Sequence, residues 1–118
     1  MIKNAFIVGM GGALGACIRF AMNEWMKAGF KTTLLINIVG SLLIGLIIGV
    51  AQKNAYFEQH WRLFLATGLC GGFTTFSAFS LENVLLLQQG KLSTAFTYII
   101  VSIVAGITAA WIGLKIAS

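Results

Sequence analysis

The chain has 118 residues, of which 58% are hydrophobic and 9% are charged, and its formal net charge is +5. A soluble domain of this size could not bury so much apolar side chain, so the composition excludes a soluble fold and indicates an integral membrane protein. The basic excess predicts no nucleic-acid partner, because the lysines stand at the ends of apolar segments, where long cationic side chains reach the membrane interface.

Four apolar segments follow one another along the chain, and each is close to the ~20 residues that a membrane-spanning helix needs. The predicted spans are residues 2–25, 32–52, 63–81 and 92–114. The first is too long and too rich in glycine to be a cleavable signal peptide. The sequence therefore predicts an all-α integral membrane protein with four transmembrane helices, organised as one domain over residues 1–118.

The third segment contains the most informative run of the chain, at residues 68–79. Here two adjacent glycines, Gly71 and Gly72, come shortly before Thr74 and Thr75. Glycine costs about 1 kcal/mol more than alanine inside a helix. Backbone groups freed by a break in a bilayer survive only inside protein or beside a polar cavity. We therefore expect the third helix to be broken in mid-membrane, and the break is the first candidate functional site.

Lysine and arginine are almost evenly divided between the two sides that four spans define. One side holds Lys3, Lys53, Arg62 and Lys115, and the other holds Lys27, Lys31 and Lys91. Because the bias of these residues sets orientation, four against three predicts insertion in both orientations. An antiparallel homodimer with a twofold axis in the membrane plane would then be natural.

Two spans carry residues at four-residue spacing that share one helix face. The line in the second span is Thr33, Asn37, Ser41, Gly45 and Gly49, and that in the fourth is Thr94, Tyr98, Ser102, Gly106 and Ala110. The small members allow another helix to approach closely. A membrane amide needs a hydrogen-bond partner, so Asn37 can equally serve a functional site or tie two helices together. For Tyr98 alone, a place in the interfacial aromatic belt is favoured.

Other candidates have simpler explanations. The glycines of residues 9–15 lack the strand and βαβ context of a nucleotide-binding turn, so they predict close helix packing. Arg19 and Glu82, the charges closest to the membrane interior, are predicted to be structural charges that snorkel or form an inter-helix ion pair. Cys17 and Cys70 have no paired spacing and are predicted to be packing residues.

Three motifs occur in order along the chain, GGALGACIRF at residues 11–20, NIVGS at 37–41 and GLCGGFTTFSAF at 68–79. Together they resemble the Fluc (CrcB) fluoride channels of bacteria, and the resemblance covers essentially the whole chain. It implies a dual-topology antiparallel homodimer with two pores that conducts fluoride passively and excludes chloride. It also implies a central structural sodium ion at the dimer interface.

The resemblance assigns roles to individual residues. It implies that the backbone carbonyls of Gly71 and Thr74 bind sodium, that Phe76 and Phe79 line the pore, and that Asn37 is the pore amide. Further polar pore positions implied in the same way are Ser77, Tyr98, Ser102 and Thr33. These types suit fluoride, since amide and hydroxyl donors replace water and phenyl rings present a positive edge. Ala78 departs from the family pattern, where a second hydroxyl is common, and this removes one donor.

The resemblance further implies export of cytoplasmic fluoride, and hence fluoride resistance, by a multi-pass protein in the lipid of the bacterial cytoplasmic (inner) membrane. A small multidrug exporter also has four spans, but it needs a carboxylate within the first span, where Glu24 stands only near the end. A structural subunit of a larger complex would explain the glycine-rich faces but not the run at 68–79. The sequence contains no nucleophile–base pair or carboxylate dyad that would predict an enzyme.

Overall fold

A computed structural model describes residues 1–118, and four of its helical stretches are long and apolar enough to cross a membrane. These stretches are Ile2–Met26, Phe30–Lys53, Leu63–Gln88 and Leu92–Ala117. The fold is all-helical with no strands, so the prediction of an all-α chain with four spans is confirmed.

Seven helical elements make up the chain. They are α1 (Ile2–Met26), α2 (Phe30–Lys53), α3 (Ala55–His60), a π-helix here called π1 (Leu63–Cys70), α4 (Gly71–Phe73), α5 (Phe76–Gln88) and α6 (Leu92–Ala117). The short helix α3 joins the second and third spans, where the sequence predicts only a loop. A residue next to it in the sequence determines where α3 begins, because the Asn54 side chain caps the helix by accepting a hydrogen bond from the Phe57 N–H at 3.0 Å.

Glycines of α1 lie directly against the backbone of the third span. A Cβ added at Gly15 would lie 2.7 Å from the Phe73 nitrogen, and one added at Gly72 would lie 2.8 Å from the Gly12 Cα. A Cβ at Gly11 would likewise meet backbone atoms of π1. The expectation that the glycines of the first span allow close helix packing is therefore confirmed for Gly11, Gly12 and Gly15, whereas a Cβ added at Gly9 would meet nothing within 4 Å.

The small-residue face of α2 packs against α6. A Cβ added at Gly45 would contact the Ala110 carbonyl and lie 2.9 Å from the Leu114 nitrogen. One added at Gly49 would lie 2.7 Å from the Ala117 Cβ. The predicted lines on the second and fourth spans thus meet each other at their small ends, and the two helices approach closely there.

Apolar side chains cover both the inside and the outside of the bundle. Leu86, Ala95 and Tyr98 form a buried cluster between α5 and α6, and Phe30 and Phe79 pack against it. Large apolar side chains also stay exposed along α1 and α6, including Phe6 and Ile107. Such a surface suits lipid, where burying apolar side chains inside the protein brings no advantage over leaving them in contact with acyl chains.

Candidate functional site

An open groove of about 400 Å³ lies between α2 and the third span. Asn37 and Ser41 line it from α2, while Gly71, Thr74 and Phe76 line it from the third span. The groove therefore brings polar residues of two sequence motifs, Asn37 and Ser41 of one and Thr74 of the other, next to the ring of Phe76.

A two-residue extended segment separates α4 from α5. Thr74 has φ −81° and ψ 157°, and Thr75 has φ −148° and ψ 116°, so neither residue is helical. The Thr75 hydroxyl caps α5 by accepting a hydrogen bond from the Ala78 N–H at 3.1 Å. On the other side, the Thr74 N–H and hydroxyl both donate to the Cys70 carbonyl, at 3.0 and 2.9 Å. Both edges of the segment are thus closed by threonine side chains.

The Asn37 amide holds this extended segment from α2. Its Nδ2 donates to the Thr75 carbonyl at 3.1 Å, and its Oδ1 accepts from the Thr75 N–H at 2.8 Å. Of the two alternatives that the spacing left open for Asn37, the tie between helices is therefore present. The second hydrogen of Nδ2 has no partner in the chain, and it belongs to a side chain that lines the groove.

Four backbone carbonyls, those of residues 71–74, lose their helical partners at this segment, and Gly71 and Thr74 are two of them. In a continuous helix the Gly71 carbonyl would accept from the Thr75 N–H, and the Thr74 carbonyl would accept from the Ala78 N–H. The first of these N–H groups donates to Asn37 and the second to the Thr75 hydroxyl. Gly71 and Thr74, the two residues singled out by the resemblance, thus both carry a carbonyl that side chains have released from the helix.

Gly40 provides the room that Thr74 needs. A Cβ added at Gly40 would collide with the Thr74 Cγ2 and lie 3.3 Å from the Phe73 ring. Sequence reasoning missed this role of Gly40 and also missed Thr75 as the residue that Asn37 binds. A hydroxyl residue three positions before Ala78 is an N-cap signal that could have located the start of α5.

The two inner charges form hydrogen bonds and no ion pair with each other. The Arg19 Nε donates to the Gly72 carbonyl at 3.3 Å, which ties α1 to the third span. The ion pair that the chain does form joins Glu58 and Arg62 at 2.9 Å on the exposed surface. Arg19 therefore serves the backbone near the extended segment.

Glu82 lies at the centre of a polar cluster between α2, α5 and α6. The Thr33 hydroxyl donates to its Oε2 at 2.7 Å, and the Tyr98 hydroxyl donates to its Oε1 at 2.8 Å. Thr33 and Tyr98 are both buried. These bonds explain why the third span continues to Gln88 past a charge that the sequence analysis took as its end. The hydroxyl hydrogens of Thr33 and Tyr98 are therefore both used in bonds within the chain.

Aromatic rings lead from the groove towards this cluster. The Phe76 side chain is 78% exposed, and its ring centroid lies 5.6 Å from that of Phe79. Phe79 in turn meets Tyr98 edge-on, with centroids 5.0 Å apart, and Tyr98 lies 5.4 Å from Phe30. Only Phe76 of this row is fully open to the surroundings.

The two remaining predicted polar positions, Ser77 and Ser102, differ in exposure and in hydrogen bonding. Ser77 is exposed, and its hydroxyl lies 3.3 Å from that of Thr75. The Ser102 hydroxyl is buried and has no hydrogen-bond partner within the chain. The pore roles of both residues stay predictions.

Comparison with known proteins gives consistent matches over almost the whole chain. A profile of the family described as "CrcB-like protein, Camphor Resistance (CrcB)" matches residues 6–114. A protein of Flavobacterium psychrophilum named "Fluoride-specific ion channel FluC" is 43% identical, and the match covers 98% of each chain. Proteins with the same name from Oceanobacillus iheyensis and Azobacteroides pseudotrichonymphae are 42% and 39% identical. Their matches cover 98% and 96% of this chain, and 92% and 94% of the relatives.

Proposed function

The chain belongs to the CrcB family, it is a multi-pass membrane protein and not an enzyme, and from that premise we propose that it is a passive channel selective for fluoride. The observation that carries the proposal is the end-to-end match to relatives named as fluoride-specific channels. Hydrogen fluoride is a weak acid that crosses bilayers and dissociates in the cytoplasm. A passive anion pathway in the bacterial inner membrane would let the trapped fluoride leave and would confer resistance.

The working unit proposed here is an antiparallel homodimer with two pores. The groove beside the third span is open on one side of the protomer, and a Cβ added at Gly71 would meet nothing within 4 Å. An exposed glycine next to freed carbonyls, in the middle of a span, calls for a partner other than lipid. A second protomer in the opposite orientation would cover the groove, and the near balance of lysine and arginine supports such an arrangement.

The proposed anion path uses the hydrogen-bond donors and ring edges that border the groove. Fluoride holds its hydration water tightly, so a pore must replace that water without binding the ion too strongly. The free Nδ2 hydrogen of Asn37 and the hydroxyls of Ser77 and Ser102 are available donors. The positive ring edges of Phe76 and Phe79 supply weaker contacts that select by size. Thr33 and Tyr98 would join this path only by turning away from Glu82.

A sodium ion at the dimer axis is the second part of the proposal. The released carbonyls of Gly71 and Thr74 are hard oxygen ligands, which hard cations prefer, and the chain offers no His, Cys, Asp or Glu cluster for another metal. In a twofold dimer each protomer would contribute the same two carbonyls. When bound there, the ion would supply a fixed positive charge close to the anion path.

Efflux from liposomes tests the proposal. Purified protein is reconstituted into vesicles loaded with potassium fluoride or potassium chloride, and valinomycin carries the counter-charge. We expect rapid loss of fluoride and no loss of chloride above that of protein-free vesicles. Absence of fluoride loss from vesicles shown to contain the dimer would overturn the proposed function.

A further inference from the structure

We infer that Asn37 is a positioning residue that holds the third span open and thereby presents the Gly71 carbonyl to the groove. The inference rests on the proposed function, because it concerns the cation site of that channel. It gives Asn37 a task separate from donating a hydrogen bond to a passing anion. The two tasks use different atoms of one amide.

The Thr75 N–H can donate to either of two acceptors, the Gly71 carbonyl in a continuous helix or the Asn37 Oδ1 in the extended form. It donates to Asn37 at 2.8 Å, and the Asn37 Nδ2 returns a bond of 3.1 Å to the Thr75 carbonyl. The amide therefore satisfies both backbone groups of Thr75, as a neighbouring strand would. Such a pair compensates for the helical bond that Gly71 loses.

Leucine has nearly the same shape as asparagine but can neither donate nor accept. With leucine in place of Asn37, the extended Thr75 would leave a donor and an acceptor unpaired, each at a cost of about 1–3 kcal/mol. A return of the N–H to the Gly71 carbonyl would avoid that cost and withdraw the carbonyl from the groove. Asn37 thus selects between two hydrogen-bonding schemes.

Gly40 lies against the Thr74 methyl group, and a Cβ there would push Thr74 away. Thr74 and Thr75 are therefore both positioned by α2, one through the space at Gly40 and the other through the Asn37 amide. The carbonyls of Gly71 and Thr74 both precede Thr75 in the chain, and Thr74 is itself in contact with α2. Asn37 and Gly40 of α2 therefore fix the backbone on which the proposed cation site depends.

The sodium dependence of dimer lifetime tests the inference, with Asn37→Leu, Asn37→Asp and the matched control Ser41→Ala. Ser41 lines the same groove one turn further along α2 and makes no hydrogen bond to the third span. Subunit exchange between two fluorescently labelled pools is followed in sodium and in N-methylglucamine chloride. We expect sodium to slow exchange at least tenfold in the unsubstituted protein and in Ser41→Ala, and less than twofold in Asn37→Leu.

The conservative variant separates positioning from anion binding. Asn37→Asp keeps the oxygen that accepts from the Thr75 N–H but loses the amide donor. It should retain a sodium effect larger than that of Asn37→Leu while losing fluoride efflux. If Asn37→Leu kept the full sodium effect and lost only efflux, Asn37 would act in the anion path alone and the inference would be wrong.

A backbone substitution tests the same contact and is measured without sodium, because the ester it introduces also weakens the Thr74 carbonyl as a ligand. Incorporating the hydroxy-acid analogue of threonine at position 75 replaces its N–H by an ester oxygen and deletes the donor to Asn37. If Asn37 acts through this N–H, combining the ester with Asn37→Leu should destabilise the protein less than the sum of the two single changes. Additive effects would overturn the inference. A sodium-independent dimer with a non-additive pair would instead reject only the proposed sodium ion.

Discussion

Gly71 and Gly72 are neighbours in the third span, yet alanine at the two positions should have opposite effects on the stability of the protomer. A Cβ at Gly72 would contact the Gly12 carbonyl and lie 2.8 Å from the Gly12 Cα, so backbone would have to move. Overpacking of this kind costs about 1–3 kcal/mol. A Cβ at Gly71 meets nothing within 4 Å, and its φ of −61° and ψ of −39° are helical. Alanine there should gain up to about 1 kcal/mol.

The expected difference between the two variants is therefore about 1–4 kcal/mol, which is at least about a fivefold ratio of unfolding constants. This difference in free energy of unfolding is measured by reversible unfolding in mixed micelles with increasing dodecyl sulfate. Tryptophan fluorescence follows the unfolding, at dilutions that keep the protein monomeric. Equal stabilities for Gly71→Ala and Gly72→Ala, or a more stable Gly72→Ala, would refute the packing argument. In the proposed dimer, Gly71→Ala should weaken association while leaving the protomer intact, which subunit exchange reports separately.

Four further outcomes are expected. Phe76→Ile should leave unfolding unchanged, because the ring is exposed, and should greatly reduce fluoride efflux from liposomes. Phe79→Ile should reduce efflux and also destabilise the protein by about 0.5–1.5 kcal/mol, because the edge contact with Tyr98 is lost. Normal fluoride efflux by both phenylalanine variants would exclude an aromatic role in conduction. Tyr98→Phe and Thr33→Val should each lower the free energy of unfolding by about 1–3 kcal/mol, because each leaves a Glu82 oxygen without its donor. Chemical unfolding measures the change, and unchanged stability would mean that water replaces these donors. Exchanging sodium for N-methylglucamine during purification should disturb the dimer or its efflux, and indifference to the exchange would remove the sodium proposal.

The spans could be predicted from sequence because lipid imposes a single requirement, a long apolar helix, and composition reports it directly. The end of the third span could not be predicted in this way. Glu82 reads as a boundary because a lone charge is expensive in a membrane. Its two hydrogen-bond donors, Thr33 and Tyr98, come from other spans, and only the tertiary structure brings them together.

The candidate site shows the same division between local and distant information. A two-glycine run followed by threonines is a local signal, and most of the residues that line the groove come from motifs recognisable in the sequence. The partner of Asn37 was not recognisable, because spacing places the amide on a helix face without saying what lies opposite. The role of Gly40 depends on the position of the Thr74 methyl group and is equally invisible in a linear pattern.

The extended segment between α4 and α5 also bears on how the protein enters the membrane. The chain contains no proline, so every residue of the third span keeps the N–H that a continuous helix requires. Only the Thr75 cap is local, and the Asn37 bonds arise once α2 lies alongside. During biosynthesis, residues 63–88 can therefore pass into lipid as one uninterrupted helix with no exposed backbone. The polar carbonyls would then be uncovered at a later stage, once α2 lies beside the segment on one side.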